Sequence, residues 1–431
     1  MMVKTMIYWF RNDLRLHDNP ALHYACQQVD YLLPVYWLNT AQHQNTIWGF
    51  VRQGQHRQVF LSQALQDLSQ QLSDIDSQLT VLVSDTITAL TKFIEDYQVD
   101  EIVCEEIAAP EEQAQVDYLR SLGVKVTCIW QSSLYAPTQL PFDIVQLPTV
   151  FSQFRQKIEK ARCQVVAPIE TPRVLPPLPP NSPQKTPFTA LDNVSAQLDS
   201  RSAFPYFFSK CHGGERHALA FAQAYFASLL PQHYKQTRNG LIGLDYSSKL
   251  SPWLATGALS VRYVYQLLKL HEQQHGANDS TYWLWFELLW RDYFRFLHLR
   301  YGKQLYRKSG LGHASIAPFN AANFSQWQTG TTGHSWIDAG MRELAATGYL
   351  SNRMRQNVAS YWLNELQGNW QAGAAWFESM LLDYDVYSNQ GNWLYLAGIG
   401  TDPRGQRWFN PQKQAQQYDP QGGYQALWGQ A

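Results

Sequence analysis

Cysteine is scarce in this chain. Its 431 residues include five cysteines, an odd number with no C-x-x-C pair. This pattern excludes a disulfide framework and offers no thiolate cluster for a structural metal. We therefore expect all five to be small apolar residues of the core, namely Cys26, Cys104, Cys128, Cys163 and Cys211.

Long apolar runs are also absent. No run approaches the roughly 18 residues that a membrane span requires. Arg11 and Asp13 interrupt the N-terminal apolar stretch where a signal peptide would need its core. The sequence thus predicts a soluble, cytoplasmic protein with no membrane partner.

The chain lacks a net charge of one sign, because its total is −1. The balance is uneven: residues 200–431 hold 20 Lys and Arg against 14 Asp and Glu, whereas residues 1–199 hold 14 against 21. A basic C-terminal half permits a face that binds nucleic acid. Twelve of the 16 tryptophans also follow residue 200, where they either fill a helical core or line a site for a flat ligand.

The first 130 residues alternate short β-branched or aromatic runs with segments of helical spacing. This alternation predicts a doubly wound parallel sheet with helices on both faces. No glycine-rich phosphate motif follows a strand, so a ligand must be held in another way. The predicted strands are 5–10, 31–37, 79–84, 101–104 and 125–130, and the predicted helices are 19–28, 54–73, 86–97 and 111–121.

Eight prolines within residues 168–187 mark a linker, because such a stretch cannot enter a helix. We therefore predict an α/β domain at 1–132, a linker region at 133–199 and an all-helical domain at 200–431. Helical spacing follows the linker at 215–230, 252–272, 280–301, 335–347, 351–366 and 371–382, with Ser251, Ser280 and Ser351 as expected N-caps.

Glu287 stands in the middle of a helix that is otherwise apolar. A buried carboxylate needs a partner, and Arg291 lies one turn further along. A structural ion pair with Arg291 and an acid that binds a ligand are equally good interpretations. Trp290, also one turn away, favours a pocket for a flat base.

Asp383 and Asp385 are two carboxylates two positions apart. They could ligate a metal, as in sugar-nucleotide transferases, but the calcium-loop pattern fails and no histidine is near. The alternative is that they bind donors of an organic ligand, with Asn389 supplying a neutral amide. We predict no metal site.

Two further segments suit an anion. Residues 352–357 open a helix with two arginines and three amides, which suits a phosphate or simply forms a solvated first turn. Residues 247–251 place hydroxyls and a lysine before Pro252. They form a phosphate cradle without glycine, or a plain helix cap.

Five segments, taken together, resemble the photolyase/cryptochrome family across nearly the whole chain and in the family's order. They are WFRNDLRLHDN at 9–19, Tyr234 with SSKLS at 247–251, ELLWRDY at 287–293, SNRMRQN at 351–357 and DYDVYSNQGNW at 383–393. Within the family the chain is most similar to DASH-type cryptochromes, on QNVAS at 356–360 and on residues 393–404.

The resemblance implies an N-terminal antenna domain and a helical FAD-binding catalytic domain. It implies that Tyr234, Ser247, Ser248, Lys249, Leu250 and Ser251 contact the diphosphate of FAD, that Arg291 and Arg355 surround the flavin, that Asp383 and Asp385 meet the ribityl and ring region, and that Asn389 faces flavin N5. Glu287, Trp290, Asn352 and Gln356 would line the cavity for a flipped cyclobutane pyrimidine dimer.

The resemblance also implies a second chromophore and an electron relay. The antenna would be 5,10-methenyltetrahydrofolate, with Glu111 or Glu112 as its anchor, although acids at a helix start need no ligand to explain them. Trp393 and Trp370 match the first two members of a tryptophan relay. The third position is Ala317, which cannot be oxidised; Trp327, Trp362 or Tyr361 could replace it.

The function so implied is blue-light-driven repair of pyrimidine dimers by a monomer. Single-stranded DNA would be preferred, because flipping a lesion costs less there. The first alternative is a flavin photoreceptor or transcriptional regulator with little repair turnover. The second, a metal-dependent nucleotide-sugar transferase, depends only on Asp383 and Asp385.

Overall fold

A parallel sheet forms the N-terminal part of the protein. The computed structural model describes residues 3–182, 195–312 and 317–429. The sheet has the order β3-β2-β1-β4-β5, and every pairing is parallel. Its strands are β1 (Thr5–Phe10), β2 (Tyr31–Asn39), β3 (Thr80–Ser84), β4 (Glu101–Glu105) and β5 (Val126–Ile129).

Helices cover both faces of this sheet. Alternate residues of β1 enter opposite cores, so that Tyr8 packs on one face and Trp9 on the other. The predicted doubly wound sheet is therefore confirmed, as are its strands to within two residues at each end. The covering helices are α1 (Pro20–Gln27), α2 (Gln55–Asp74), α3 (Thr88–Asp96) and α4 (Pro110–Ser121).

The remainder of the described chain is mostly helical, as predicted. None of the helices in the described ranges is long and apolar enough to cross a membrane. They are α5 (Phe151–Ala161), α6 (Glu215–Ala227), α7 (Tyr234–Thr237), α8 (Ser251–Thr256), α9 (Val261–His275), α10 (Asp279–Tyr301), α11 (Ala321–Thr329), α12 (Ser335–Thr347), α13 (Asn352–Asn364), α14 (Trp370–Met380), α15 (Val386–Ala397), α16 (Pro411–Tyr418) and α17 (Gly423–Gly429).

The predicted helix at 252–272 is wrong, because the chain breaks into α8 and α9 at Gly257. This glycine has φ +69°, and a Cβ there would lie 1.8 Å from the carbonyl oxygen of Asn12. Ser260 then caps α9 by accepting from the amide of Arg262. The close approach to Asn12 belongs to the contact between the two halves, which no local pattern reveals.

Two of the three predicted N-caps are also wrong. Asn278, not Ser280, caps α10 by accepting from the amides of residues 280 and 281. Leu250 occupies the cap position of α8, so Ser251 is the first helical residue. Ser351 does cap α13, because its hydroxyl accepts from the Met354 amide at 3.2 Å.

The proline-rich stretch packs against the sheet domain between Ile169 and Leu178. The Asp18 amide donates to the carbonyl of Ile169 at 2.9 Å, and the Leu32 amide donates to that of Pro177 at 3.1 Å. Leu175 is buried in one of the two cores of the sheet. Residues 183–187 lie outside the described ranges, and the domain boundaries stay predictions.

The first of the five recognised segments joins the two halves of the chain. Arg15 donates to the carbonyl of Gly257 at 2.9 Å, and Asp18 forms a buried ion pair with Arg262. Glu215 accepts from the amides of Leu16 and His17, both at 2.8 Å. These contacts make the segment a structural joint rather than a ligand site.

Candidate functional site

A cavity of about 410 Å³ lies among the helices of the C-terminal half. It collects all but one of the residues predicted for FAD and for the lesion; Asn389 is the exception. The predicted residues that line it are Tyr234, Ser247, Ser248, Lys249, Leu250, Ser251, Glu287, Trp290, Arg291, Asn352, Arg355, Gln356, Asp383 and Asp385.

Helical periodicity explains why these residues share one cavity. Glu287, Trp290 and Arg291 are spaced i, i+3 and i+4 on α10, and residues 352, 355 and 356 repeat that spacing on α13. Such positions lie on a single helix face. Asp385 is held at the entry to α15 as its N-cap, since its Oδ1 accepts from the Ser388 amide at 2.8 Å.

Each of the two aspartates forms an ion pair with an arginine. Arg355 Nη2 lies 2.9 Å from Asp383 Oδ2, and Arg295 Nη2 lies 3.1 Å from Asp385 Oδ2. Burial alone would raise the pKa of Asp385, but Arg295 and Arg291 outweigh it and lower that pKa. Both carboxylates are thus neutralised without a metal. In the described part of the chain, no three His, Cys, Asp or Glu side chains form a cation site.

Lys249 is buried beside this cavity without a hydrogen-bond partner. Its Nζ lies 3.2 Å from the ring centroid of Tyr246 and 4.8 Å from that of Tyr349. Burial lowers the pKa of Lys249 well below its usual value, although Glu343 opposes this. Within the described residues, neither Lys249 Nζ nor Asp383 Oδ1 has a partner. A polar ligand that carries both an acceptor and a donor would satisfy the two atoms.

Glu287 pairs with Arg238 and not with Arg291, so the ion pair that was one of its two interpretations is not observed. The Glu287 carboxylate contacts the guanidinium of Arg238 and accepts from Trp283 Nε1 at 3.1 Å. Arg291 instead donates to the main-chain carbonyls of Ser132 and Leu254. The Arg291 side chain points toward the contact between the two halves of the chain. The i+4 spacing alone does not reveal this orientation.

Trp290 forms a wall between two cavities. Its ring stacks on Phe151, with centroids 3.7 Å apart and planes 10° apart. On the other side of this wall lies a cavity of about 370 Å³, which also touches Phe294 and Tyr395. Phe151 belongs to α5, inside the region predicted as linker, so this support for Trp290 was not predicted.

A third cavity, of about 350 Å³, lies between the two halves of the chain and is lined by both Glu111 and Glu112. Arg52 binds the carboxylate of Glu111 through two nitrogens, at 2.9 and 2.6 Å, and also reaches Glu378 at 2.7 Å. Burial raises the pKa of Glu112. Trp370 belongs to the same lining.

Asn389 lines this third cavity and not the first. Its Nδ2 donates to the carbonyl of Ala374 at 3.0 Å. On the same helix, Ser388 and Asn392 are the residues that line the first cavity. The assignment of Asn389 to flavin N5 stays a prediction.

The relay residues lie in the aromatic core of the helical half. Trp393 is 1% exposed, and its ring centroid is 5.2 Å from Phe377 and 6.5 Å from Trp327. Trp327 stacks on Trp362 at 5.2 Å.

The main chain of Ala317 contacts the residue that precedes Trp370. The Ala317 carbonyl accepts from Asn369 Nδ2 at 3.2 Å. The indole of Trp370 donates to the carbonyl of Lys308 at 2.9 Å. The assignment of Ala317 to the third relay position stays a prediction.

Sequence reasoning missed the partners that hold the site residues. Arg238, Arg295 and Tyr349 contact Glu287, Asp385 and Lys249, respectively. Arg295 was open to prediction, since it lies one turn after Arg291 on a helix that should be buried. Arg238 and Tyr349 come from distant elements, and no local pattern marks them.

The comparisons with known proteins agree with this geometry. A family model described as the FAD binding domain of DNA photolyase matches residues 283–429, and one described as DNA photolyase matches residues 6–177. Cryptochrome DASH of Synechocystis sp. is 43% identical over 434 residues, which cover 98% of this chain and 87% of that protein.

Solved structures extend the likeness to three dimensions. The crystal structure of a Synechocystis cryptochrome has a TM-score of 0.91 at 41% identity, and the alignment covers 99% of this chain and 89% of that one. An archaeal photolyase from Sulfolobus tokodaii, solved with two FAD molecules, has a TM-score of 0.76 at 25% identity, with 98% and 90% covered.

Proposed function

Because the chain belongs to the photolyase/cryptochrome family and is most like its DASH-type cryptochromes, we propose that it uses FAD and blue light to repair cyclobutane pyrimidine dimers, preferentially in single-stranded DNA. The observation that carries this proposal is the first cavity. Its lining combines the paired aspartates Asp383 and Asp385 with the ring of Trp290 and the acid Glu287. Bound FAD would supply, in its reduced form under light, the electron that opens the cyclobutane ring.

The residues of the cavity fit FAD. The segment 247–251 offers hydroxyls and the buried Lys249 to a diphosphate, and the unpartnered Nζ of Lys249 needs an acceptor of that kind. Asp383 Oδ1 needs a donor, such as a ribityl hydroxyl or a flavin N–H. Arg355 and Arg295 hold Asp383 and Asp385 in place, so that these carboxylates need not reorganise when the cofactor binds.

The lesion would occupy the side of the cavity formed by α10 and α13. Trp290 offers a flat face, and its other face rests on Phe151, which fixes the ring in place. Glu287, Asn352 and Gln356 supply polar atoms on the same side. The lesion would displace Arg238 from Glu287, and the protonated carboxyl group would then donate to a thymine carbonyl. That hydrogen bond would strengthen as negative charge develops on the dimer.

The third cavity is our candidate site for an antenna chromophore, for which we propose 5,10-methenyltetrahydrofolate. Glu111 and Glu112 line it, and a carboxylate can accept from the amino group of a pterin ring. Arg52 forms a salt bridge with Glu111. Burial raises the pKa of Glu112, and we propose Glu112 as the residue that binds the pterin.

The decisive experiment combines absorbance with repair. Purified protein should release FAD on denaturation and, once reduced, should convert a single-stranded oligonucleotide with one thymine dimer to intact thymines under blue light but not in darkness. An antenna would show as a near-ultraviolet band that survives flavin reduction. Protein with bound FAD but no light-dependent repair would overturn the repair assignment and favour photoreception.

A further inference from the structure

Two cysteines lie side by side in the sheet, away from the three cavities. Cys104 of β4 and Cys128 of β5 are direct partners in the parallel pairing, and their Sγ atoms are 3.8 Å apart. Both pack into the same face of the sheet, against α3 and α4. All five cysteines of the chain are free thiols.

The surroundings of the two sulfurs differ. Cys104 is fully buried, whereas Cys128 is half-buried. Arg120 of α4 donates to Cys128 Sγ at 3.7 Å, and its Nη2 also donates to the carbonyl of Val126 at 3.0 Å. Arg120 is itself half-exposed, so Cys128 lies at the solvent edge of this core.

The groups around the two thiols shift their pKa values in opposite directions. The hydrogen bond from Cys104 lowers the pKa of Cys128 to about 7, helped by Arg120 and Arg11 and opposed by burial and Glu106. The same hydrogen bond, together with burial, raises the pKa of Cys104. The lowered pKa and the contact with Arg120 make Cys128 the sulfur that carries the negative charge when the pair ionises, with Cys104 as its neighbouring thiol.

We propose that Cys104 and Cys128 form a two-thiol redox site that reacts with a hydroperoxide and closes to a reversible disulfide. The Cys128 thiolate attacks the terminal peroxide oxygen, which breaks the O–O bond and leaves a sulfenic acid and an alkoxide, or hydroxide when the oxidant is hydrogen peroxide. The leaving oxygen takes a proton from solvent and becomes an alcohol or water. The Cys104 sulfur then attacks Cys128, forming the S–S bond and expelling the sulfenic oxygen as water. Two electrons pass from the dithiol to the peroxide.

The strand pairing makes this closure accessible. Neighbouring strands lie about 4.8 Å apart, inside the range of Cα separations that a disulfide spans. Only the sulfurs must approach, from 3.8 Å to about 2.05 Å, by rotation of the side chains.

The chain contains its own controls. Cys163 is half-buried like Cys128, but burial raises its pKa, and its thiol donates to the carbonyl of Gln139 at 3.7 Å. Cys26 is also half-buried, and burial raises its pKa to about 11. Similar exposure without a thiol neighbour predicts slow reaction at both positions.

The test is to oxidise the reduced holoprotein with hydrogen peroxide at pH 7 and follow it by thiol alkylation and intact mass. We expect loss of two alkylatable thiols per chain, a mass decrease of two hydrogens and a cross-linked peptide pair containing Cys104 and Cys128. Dithiothreitol should restore both thiols. Cys128 should react at least about tenfold faster than Cys163, because its thiolate fraction is larger.

Variants separate the proposal from simple accessibility. Cys104→Ser should leave Cys128 as a sulfenic acid that dimedone traps, whereas Cys163→Ser should change nothing. Arg120→Gln should slow the oxidation. Equal reactivity of Cys128 and Cys163 in the wild type, or oxidation of Cys128 to a sulfinic acid with Cys104 still alkylatable, would overturn the proposal.

Discussion

At the scale of the residue, the half-buried carboxylate of Glu287 is held by an arginine at the C-terminal end of a different helix. The apolar surroundings on α10 correctly indicated that the carboxylate needs a partner. The partner is Arg238, not Arg291, because Arg291 is drawn to two main-chain carbonyls. The sequence thus indicated that Glu287 needs a cationic partner but not which residue supplies it, since spacing along one helix carries no information about residues on other elements.

We predict that Glu287→Ala keeps FAD but loses at least about tenfold in repair rate, because a hydrogen bond that strengthens in the transition state is removed. Flavin absorbance and illuminated repair of a single-stranded thymine dimer are the measurements. Arg238→Gln is the matched control: it breaks the same ion pair but leaves the acid in place. Equal losses in the two variants would mean that Glu287 acts only as the partner of Arg238.

Lys249 gives a prediction about pH. Its pKa is lowered in the folded apoprotein, so between that value and about 10.4 the unfolded chain binds more protons, and stability rises with pH. We expect Lys249→Met to be more stable than wild type at pH 7 and this advantage to shrink toward pH 9. Urea unfolding of the apoproteins measures it, with Lys303→Met as the exposed control. If the stability difference between Lys249→Met and wild type does not change with pH, protonation of Lys249 does not destabilise the folded protein.

At the scale of the element, helix type was predictable and helix ends often were not. The strands were found to within two residues because β-branched runs bounded by polar segments are a local signal. Helix α15 was missed because polar residues and Gly391 obscure its periodicity. Helix α5 was missed because it lies within a stretch assigned to the linker, although its buried face of Phe151, Phe154 and Ile158 has helical spacing.

The break at Gly257 leads to a prediction of stability. Gly257→Ala should cost about 1 kcal/mol for its left-handed backbone and at least about 2 kcal/mol more for the clash with the Asn12 carbonyl. Gly422→Ala is the control, since this residue has nearly the same positive φ, +70°, but open space around it. Chemical denaturation should therefore separate the two variants clearly. Similar losses of unfolding free energy in the two variants would show that the backbone at Asn12 relaxes to admit the methyl group at little cost.

The relay is also a property of an element, because Ala317 interrupts it next to α14. We predict that Trp393→Phe abolishes light-driven flavin reduction by an external reductant, and that Ala317→Trp accelerates this reduction. The stacked pair of Trp327 and Trp362, 6.5 Å from Trp393, offers a bypass. Flavin bleaching under continuous blue light is the measurement. If wild type bleaches as fast as Ala317→Trp, the bypass suffices and the missing tryptophan has no consequence.

At the scale of the whole molecule, the helical half concentrates positive charge near an aromatic cavity. Lys235 and Arg238 both lie over the ring of Trp283, at 5.1 and 5.5 Å from its centroid. We expect lesion-bearing single strands to bind more tightly than duplex, with an affinity that falls as salt rises. Binding at two salt concentrations measures this. Equal or tighter binding of an intact duplex would contradict it.

Most of the first cavity was predictable, because the resemblance gave its residues and helical spacing gave their common face. What sequence could not supply was the support from elsewhere in the chain: Phe151 behind Trp290, Arg238 beside Glu287 and the ring of Tyr349 over Lys249. These contacts join residues that are far apart in the sequence. In each case nothing in the supporting residue's own segment marks it as part of the site.

The joint made by the N-terminal segment bears on how this protein can be divided. Glu215 depends on two amides near residue 16, and Arg15 depends on a carbonyl at residue 257. A helical half produced alone would lose the two donors to Glu215, and a sheet half produced alone would lose the acceptor of Arg15. Each half would also expose the apolar surface that packs on the other half. The two halves are therefore complementary fragments, and co-expressing 1–182 with 195–431 should reconstitute a protein that neither fragment forms by itself.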